Sequence, residues 1–238
     1  MQLKSIILLL KIYRQYIENE ERYKRAYIWE SQQVFVQKWD INAVDMKAMY
    51  LASLDNSRSR RLWNRENFEP RKVMAEILGH QPDYGRMLFS DLLNEERDLT
   101  GRLHRFVYGC NELFSDYLDS HAGSRLQSHF HTDNFEMAFL YLAFRYPEKY
   151  SFYHPESFKY FLEETKARDI PEGNDPDRFV KVVNMVNVWM QKEPSLWEIH
   201  LKRLNPSTDY MNKNLLWVYD FFLYVHEKNI SVQSLLTT

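Results

Sequence analysis

The densest concentration of groups able to do chemistry lies between Ser57 and Lys72, where six cations face only Glu66 and Glu69. The cations are Arg58, Arg60, Arg61, Arg65, Arg71 and Lys72. A guanidinium is a planar fork that fits phosphate oxygens, and Trp63 and Phe68 add faces on which a base can stack. Arg58 to Lys72, with Trp63, are therefore the candidate nucleic-acid contacts. The competing reading is an Arg-rich connection paired with the protein's own carboxylates, with Trp63 as a core anchor. On charge alone the second has the advantage, because the chain carries 33 acids and a net charge of −2. No global basic field helps it hold a polyanion.

Other clusters carry less. His129 and His131, with His121 and Asp133 nearby, could hold a divalent metal if a tight loop brought them together. Side chains at i and i+2 do not share a helix face, and a metal site needs three converging ligands. The expectation is a surface loop over 120–131, Thr132 or Asp133 capping the next helix, and no metal. Glu20-Glu21, Glu95-Glu96 and Glu163-Glu164 are adjacent pairs that diverge on a helix, so solvated faces are expected. Cys110, the single cysteine, excludes an internal disulfide and is expected to be a buried, inert thiol. Tyr141, Arg145, Tyr146, Tyr150 and Tyr153 could line an aromatic pocket for an extruded base, although burial of the rings explains them more simply. No Gly-x-x-x-x-Gly-Lys-Ser/Thr, Gly-x-Gly-x-x-Gly, Gly-x-Ser-x-Gly or His-Glu-x-x-His pattern occurs. No catalytic residue and no cofactor are assigned.

The elements that must position these groups read as helices. Six glycines in 238 residues, with no Asn-Gly or Asp-Gly pair, leave hairpins without turns. Pro70, Pro82, Pro155 and Pro176 each precede an apolar-periodic stretch, the first-turn position that tolerates a missing N–H. Apolar periodicity predicts helices near 3–18, 20–38, 43–55, 70–79, 82–93, 99–119, 133–146, 155–166, 176–192, 195–204 and 212–228. The expected fold is all-α: a compact bundle of about ten helices with no substantial sheet. The 133–146 and 212–228 segments are apolar on nearly every side and belong at its centre, whereas 99–119 has the single stripe of an outer helix. An N-terminal pair over 1–40 is followed by a main domain over 41–238, or the two form one continuous domain. Ile6 to Leu10 is too short for a secretory core and nothing approaches a bilayer span, so a soluble cytoplasmic protein without a membrane partner is expected.

Four stretches resemble the amino-terminal region of McrB-type restriction proteins, the AAA-family NTPases of modified-cytosine-directed defence. They are 56–72 with its Arg-Arg-Leu-Trp-Asn-Arg-Glu-Asn-Phe-Glu-Pro run, 89–107 with Leu-Leu-Asn-Glu-Glu-Arg-Asp-Leu-Thr-Gly-Arg, 138–153 with Tyr-Pro-Glu-Lys-Tyr, and 201–222. In that family the amino-terminal region is a variable module that selects the target, often modified DNA. A downstream module hydrolyses GTP and recruits a nuclease subunit. The resemblance thus implies a non-catalytic targeting role, with DNA, an NTPase module and a nuclease subunit as partners. It does not carry over methylcytosine binding, since no base-pocket motif can be matched. The leading expectation is DNA recognition. The alternative is a helical protein-interaction domain that docks to an NTPase ring, a nuclease subunit or a phage protein.

Overall fold

Four prolines and several acceptor side chains mark where helices begin. In the computed structural model, which describes residues 1–19, 24–193 and 195–237 (the last by its backbone only), the chain forms twelve helices and no strand among the described residues. They are α1 (Leu3–Glu18), α2 (Tyr27–Lys38), α3 (Met46–Ser53), α4 (Pro70–His80), α5 (Pro82–Leu92), α6 (Leu99–Ser120), α7 (Glu136–Arg145), α8 (Pro155–Glu164), α9 (Pro176–Lys192), α10 (Leu196–Lys202), α11 (Leu216–Glu227) and α12 (Val232–Thr237). The proline ring, with φ preset and no N–H to satisfy, opens α4, α5, α8 and α9. Asp45, Asp98 and Asp175 accept from the third residue beyond them at 2.8, 2.8 and 2.9 Å, which fixes the starts of α3, α6 and α9.

The fold is a compact all-α bundle, as expected, and its boundaries differ where local chemistry overrides periodicity. Asp45 caps α3 three residues later than the apolar pattern suggests. α2 starts at Tyr27, because 24–26 form a turn. The Glu20-Glu21 pair lies outside the described residues. α7 is preceded by Phe135 in the left-handed region at φ 57°, with its N–H bonded to the Thr132 carbonyl. Asn134, two residues before Glu136, accepts that residue's N–H at 3.1 Å. Neither Thr132 nor Asp133 supplies the side-chain cap; this corrects the expectation. α12 has no counterpart in the periodicity.

α7 is buried from Met137 through Phe144, and α11 is buried from Leu216 through Val225 except Tyr219. Those two apolar rods organise one continuous core to which α1 and α2 also contribute. α1 packs on α9, α10, α11 and α12, and α2 packs on α3 and α7. Phe152 lies edge-on against Phe144 at 5.0 Å, and Tyr153 meets Phe139 at 5.4 Å, so the chain after Pro147 folds back over the end of α7. Residues near both ends are held by the C-terminal end of α8. Gln2 N–H donates to the Thr165 carbonyl at 2.6 Å, and Val232 N–H donates to Glu164 at 2.7 Å. Glu164 therefore caps α12 and is not simply solvated. No helix among the described residues is long and apolar enough to cross a membrane.

Candidate functional site

The 57–72 segment is clamped before it can present anything. Asn56 accepts the N–H groups of Arg58 and Ser59 at 3.1 and 2.7 Å, and its amide donates to Ser31 at 2.8 Å. Glu30 on α2 accepts both the N–H and the hydroxyl of Ser57. This turn aims Arg58 across the surface, to Asp209 at 3.0 Å and Thr208 at 3.1 Å. Arg65 pairs with Glu136 in the first turn of α7 and stacks on Phe68 with its guanidinium carbon 4.2 Å from the ring centre. Arg71 donates to the Leu51 carbonyl at 2.7 Å, and its pKa is lowered by burial. Trp63 is 1% exposed, a core anchor with no face left for a base. Arg58 and Arg65 keep 33% and 37% of their side chains exposed but are engaged, and Arg60, Arg61 and Lys72 are the freest of the six. Arg60 is 61% exposed at 3.9 Å from Asp55, and Lys72 is 65% exposed at 3.4 Å from Glu69. Arg61 is exposed and has no carboxylate partner among the described residues. The continuous cationic ridge is thereby corrected: Arg58, Arg65 and Arg71 are consumed by nearby acceptors of the fold, and Trp63 is inside.

The tyrosine cluster does not form a pocket either. Each hydroxyl leads to a different partner, and the rings of Tyr141, Tyr150 and Tyr153 are buried against the core. Tyr141 is bonded to Tyr50 and to His131 Nε2, both at 2.7 Å. Tyr150 meets Arg102 at 2.9 Å and Glu95 at 3.0 Å, Tyr153 donates to Asn174 at 3.1 Å, and Tyr146 donates to the Leu93 carbonyl at 2.7 Å. Arg145 stays at the surface over the Tyr146 ring and lines, with Trp39 and Asp40, a groove of about 550 Å³. Glu95 is not a solvated acid, because Arg102, Lys149 and Tyr150 all converge on it.

The expected loop lies at the surface over 121–128, but two of its histidines turn inward. His129 and His131 are both buried. The His131 N–H donates to His129 Nδ1, so His129 carries its proton on Nε2 and gives it to Asn111 at 2.9 Å. His131 Nδ1 lies 2.6 Å from the His129 carbonyl and must be the donor, which leaves Nε2 to accept from Tyr141. Burial, with His129 beside it, pushes the His131 pKa down to about 3. No group of three His, Cys, Asp or Glu side chains among the described residues is placed to hold a metal. Cys110 is fully buried, and burial alone pushes its thiol pKa upward.

Two features escaped sequence reasoning. Asp220, 0% exposed on α11, takes the Tyr13 hydroxyl at 2.7 Å, Arg25 at 3.0 Å and Arg203 at 2.8 Å. Burial alone would raise its pKa, but Arg203 and Arg25 outweigh that and hold it at about 2. The signal was present: a single acid in the run Leu215 to Val225 has to be paired if that helix is central. The second feature is a cavity of about 450 Å³ walled by Trp197 and Trp217, which meet edge to face at 5.1 Å. Asn187 accepts the Trp217 indole N–H at 2.8 Å, and Gln191, Lys213 and Glu148 complete the rim. His200 is buried behind it against Trp29 and Trp197, with neither ring nitrogen hydrogen-bonded among the described residues. Burial, then Arg203, lowers its pKa to about 3.

The 57–72 segment and this cavity share one support. Arg58 ties down Thr208 and Asp209, and the same loop passes Tyr210, whose N–H bonds the Trp29 carbonyl at 3.0 Å, on its way to Lys213 and Asn214. Asn214 accepts the Trp29 indole N–H at 3.2 Å. Aromatic walls with amides and both charge signs at the rim suit a flat, polar-edged side chain. The chain matches no family model, no curated protein and no solved structure.

Proposed function

We propose that this chain is a non-catalytic recognition module of a McrB-like restriction or defence NTPase, acting in the cytoplasm as a helical docking scaffold for a protein partner. The observation that carries the reading is the fate of the six clustered cations, of which Arg58, Arg65 and Arg71 are tied to acceptors of the fold itself. Arg58 instead braces the loop beside the Trp197–Trp217 cavity, and an aromatic-walled pocket is where a partner's anchor side chain gains most by desolvation. The buried titratable groups support a non-catalytic role. Cys110, His131, His200 and Asp220 are all enclosed and held far from the protonation balance a general acid or base needs. Sedimentation of the chain with the NTPase ring and nuclease subunit of a McrB-like system tests the reading. Trp197→Ala is expected to weaken the complex at least tenfold, on the order of 1.4 kcal/mol, whereas Arg60→Ala leaves it unchanged. Co-sedimentation insensitive to Trp197→Ala would remove the docking site.

Recognition of DNA is the second reading, favoured by the outward Arg60, Arg61 and Lys72. Three neutralised phosphates give a log–log salt slope of only about −2.7, which is weak binding at physiological salt. A measured slope steeper than about −4 that collapses in Arg60→Ala/Arg61→Ala would place DNA recognition above docking.

A further inference from the structure

We infer that the Trp197–Trp217 cavity binds a free α-amino acid whose side chain is a flat ring. The inference rests on the cavity singled out above and adds a small-molecule ligand to it. The walls of the cavity satisfy one another's hydrogen bonds. Asn187 Oδ1 takes the Trp217 indole N–H at 2.8 Å, while Asn214 Oδ1 takes the Trp29 indole N–H at 3.2 Å and the Leu216 N–H at 3.0 Å. The Asn214 amide donates to the Asn212 carbonyl at 2.7 Å. Leu215 N–H donates to the Pro147 carbonyl at 2.7 Å, which pins the turn carrying Glu148 beside the loop carrying Lys213. Trp197 and Trp217 meet at 88°, so the two indoles form a corner. A ring stacked on one indole turns its edge to the other, and both arrangements are ones that aromatic pairs prefer.

The rim is the reverse of the walls. Glu148 and Lys213 line one cavity, yet they pair neither with each other nor with any other charged group among the described residues. Gln191, one turn beyond Asn187 on α9, has no hydrogen-bond partner among the described residues, and the Asn187 amide nitrogen has none there either. A locked aromatic corner is thus edged by a free carboxylate, a free ammonium and free carboxamide donors. Simpler ligands match only part of that set. An anion meets Glu148, a cation meets Lys213, and a purely apolar ring covers both charges without pairing them. An α-amino acid carries both charges on one carbon. Its ammonium pairs with Glu148, its carboxylate with Lys213 and the carboxamide N–H groups, and its ring enters the corner. The cavity volume of about 450 Å³ lies within the range of about 300–1,000 Å³ usual for small-ligand sites.

Isothermal titration calorimetry of the whole chain reads the outcome, with L-tryptophan, L-tyrosine and L-phenylalanine as probes. At least one is expected to bind at a single site per chain with a dissociation constant below about 1 mM. The N-acetyl and carboxamide derivatives of that amino acid each lack one charge and should bind at least tenfold more weakly. L-alanine, which has no ring, should show no saturable binding. Glu148→Gln should erase the difference between the parent and its N-acetyl form, and Lys213→Gln the difference between the parent and its carboxamide; both positions are exposed, so the fold is kept. No saturable binding by any of the three probes up to their solubility, blocked forms that bind as well as the parent, or differences that survive both substitutions would overturn the inference. The docking reading fails separately. Amino-acid binding alongside co-sedimentation that ignores Trp197→Ala keeps this ligand and removes docking; co-sedimentation lost in Trp197→Ala without amino-acid binding does the opposite.

Discussion

Two groups of arginines in this molecule behave in opposite ways. Arg58, Arg60, Arg61, Arg65 and Arg71 are neighbours in sequence, yet the fold scatters them onto Asp209, Asp55, Glu136 and a backbone carbonyl, or leaves them in water. Arg25 and Arg203 are 178 residues apart, and both close on Asp220 in the interior. Burial lowers the pKa of each, but Asp220 together with Tyr16 and Glu227 for Arg25, and with Tyr13 and Tyr16 for Arg203, outweighs it and holds both above the ordinary arginine value. Linear charge density marks where the chain meets solvent. Convergence of distant charges marks where an electrostatic interaction is unscreened and its loss is costly.

The contrast is broken most directly at Asp220. Asp220→Ala leaves two buried guanidinium groups without their shared carboxylate and should cost about 3–5 kcal/mol in urea denaturation. A loss below about 1 kcal/mol would put the interior cluster on the same footing as the surface. The next effect is acid sensitivity. His131 and His200 are neutral in the fold down to about pH 3, whereas an unfolded imidazole takes up a proton near pH 6.5. The unfolded state then binds more protons, so stability is flat above about pH 6.5 and falls as pH drops toward 3, by about 2 kcal/mol per imidazole at pH 5. His129 and His154, also lowered by burial, add to that fall, and His200→Phe should reduce it by about 2 kcal/mol, measured as the difference in stability between pH 7.5 and pH 5; an undiminished fall would mean that His200 is not the neutral group described. Asp220, held at about 2, contributes stability that is complete above about pH 4 and is lost as pH falls from there to about 2. Smaller again, Tyr141→Phe removes the donor to His131 and the bond to Tyr50, for about 1–2 kcal/mol. Least of all, Arg60→Ala/Arg61→Ala should change stability by no more than about 0.5 kcal/mol, while any DNA-binding salt slope loses about 1.8 in magnitude.

Local signals were legible in the sequence and long-range ones were not. Pro70, Pro82, Pro155 and Pro176 open helices, and Asp175 caps one, because that chemistry involves residues within one turn. α7 and α11 could be placed at the centre because periodicity reports burial directly. The direction taken by Arg58 depended on Asp209, 151 residues away, and no pattern around Ser57 announces it. His129 and His131 lie in a polar, glycine-containing stretch that reads as surface, yet His131 is bonded to Tyr141 and so drawn under the bundle. The Trp197–Trp217 cavity needs α9, α10 and the start of α11 in place before it exists.

The C-terminal end of α8 grips the chain twice, at residues 2 and 232, through Thr165 and Glu164. A tether pulled between those two points would load one helix end. Circular permutants that join them by a short linker should accordingly retain the bundle.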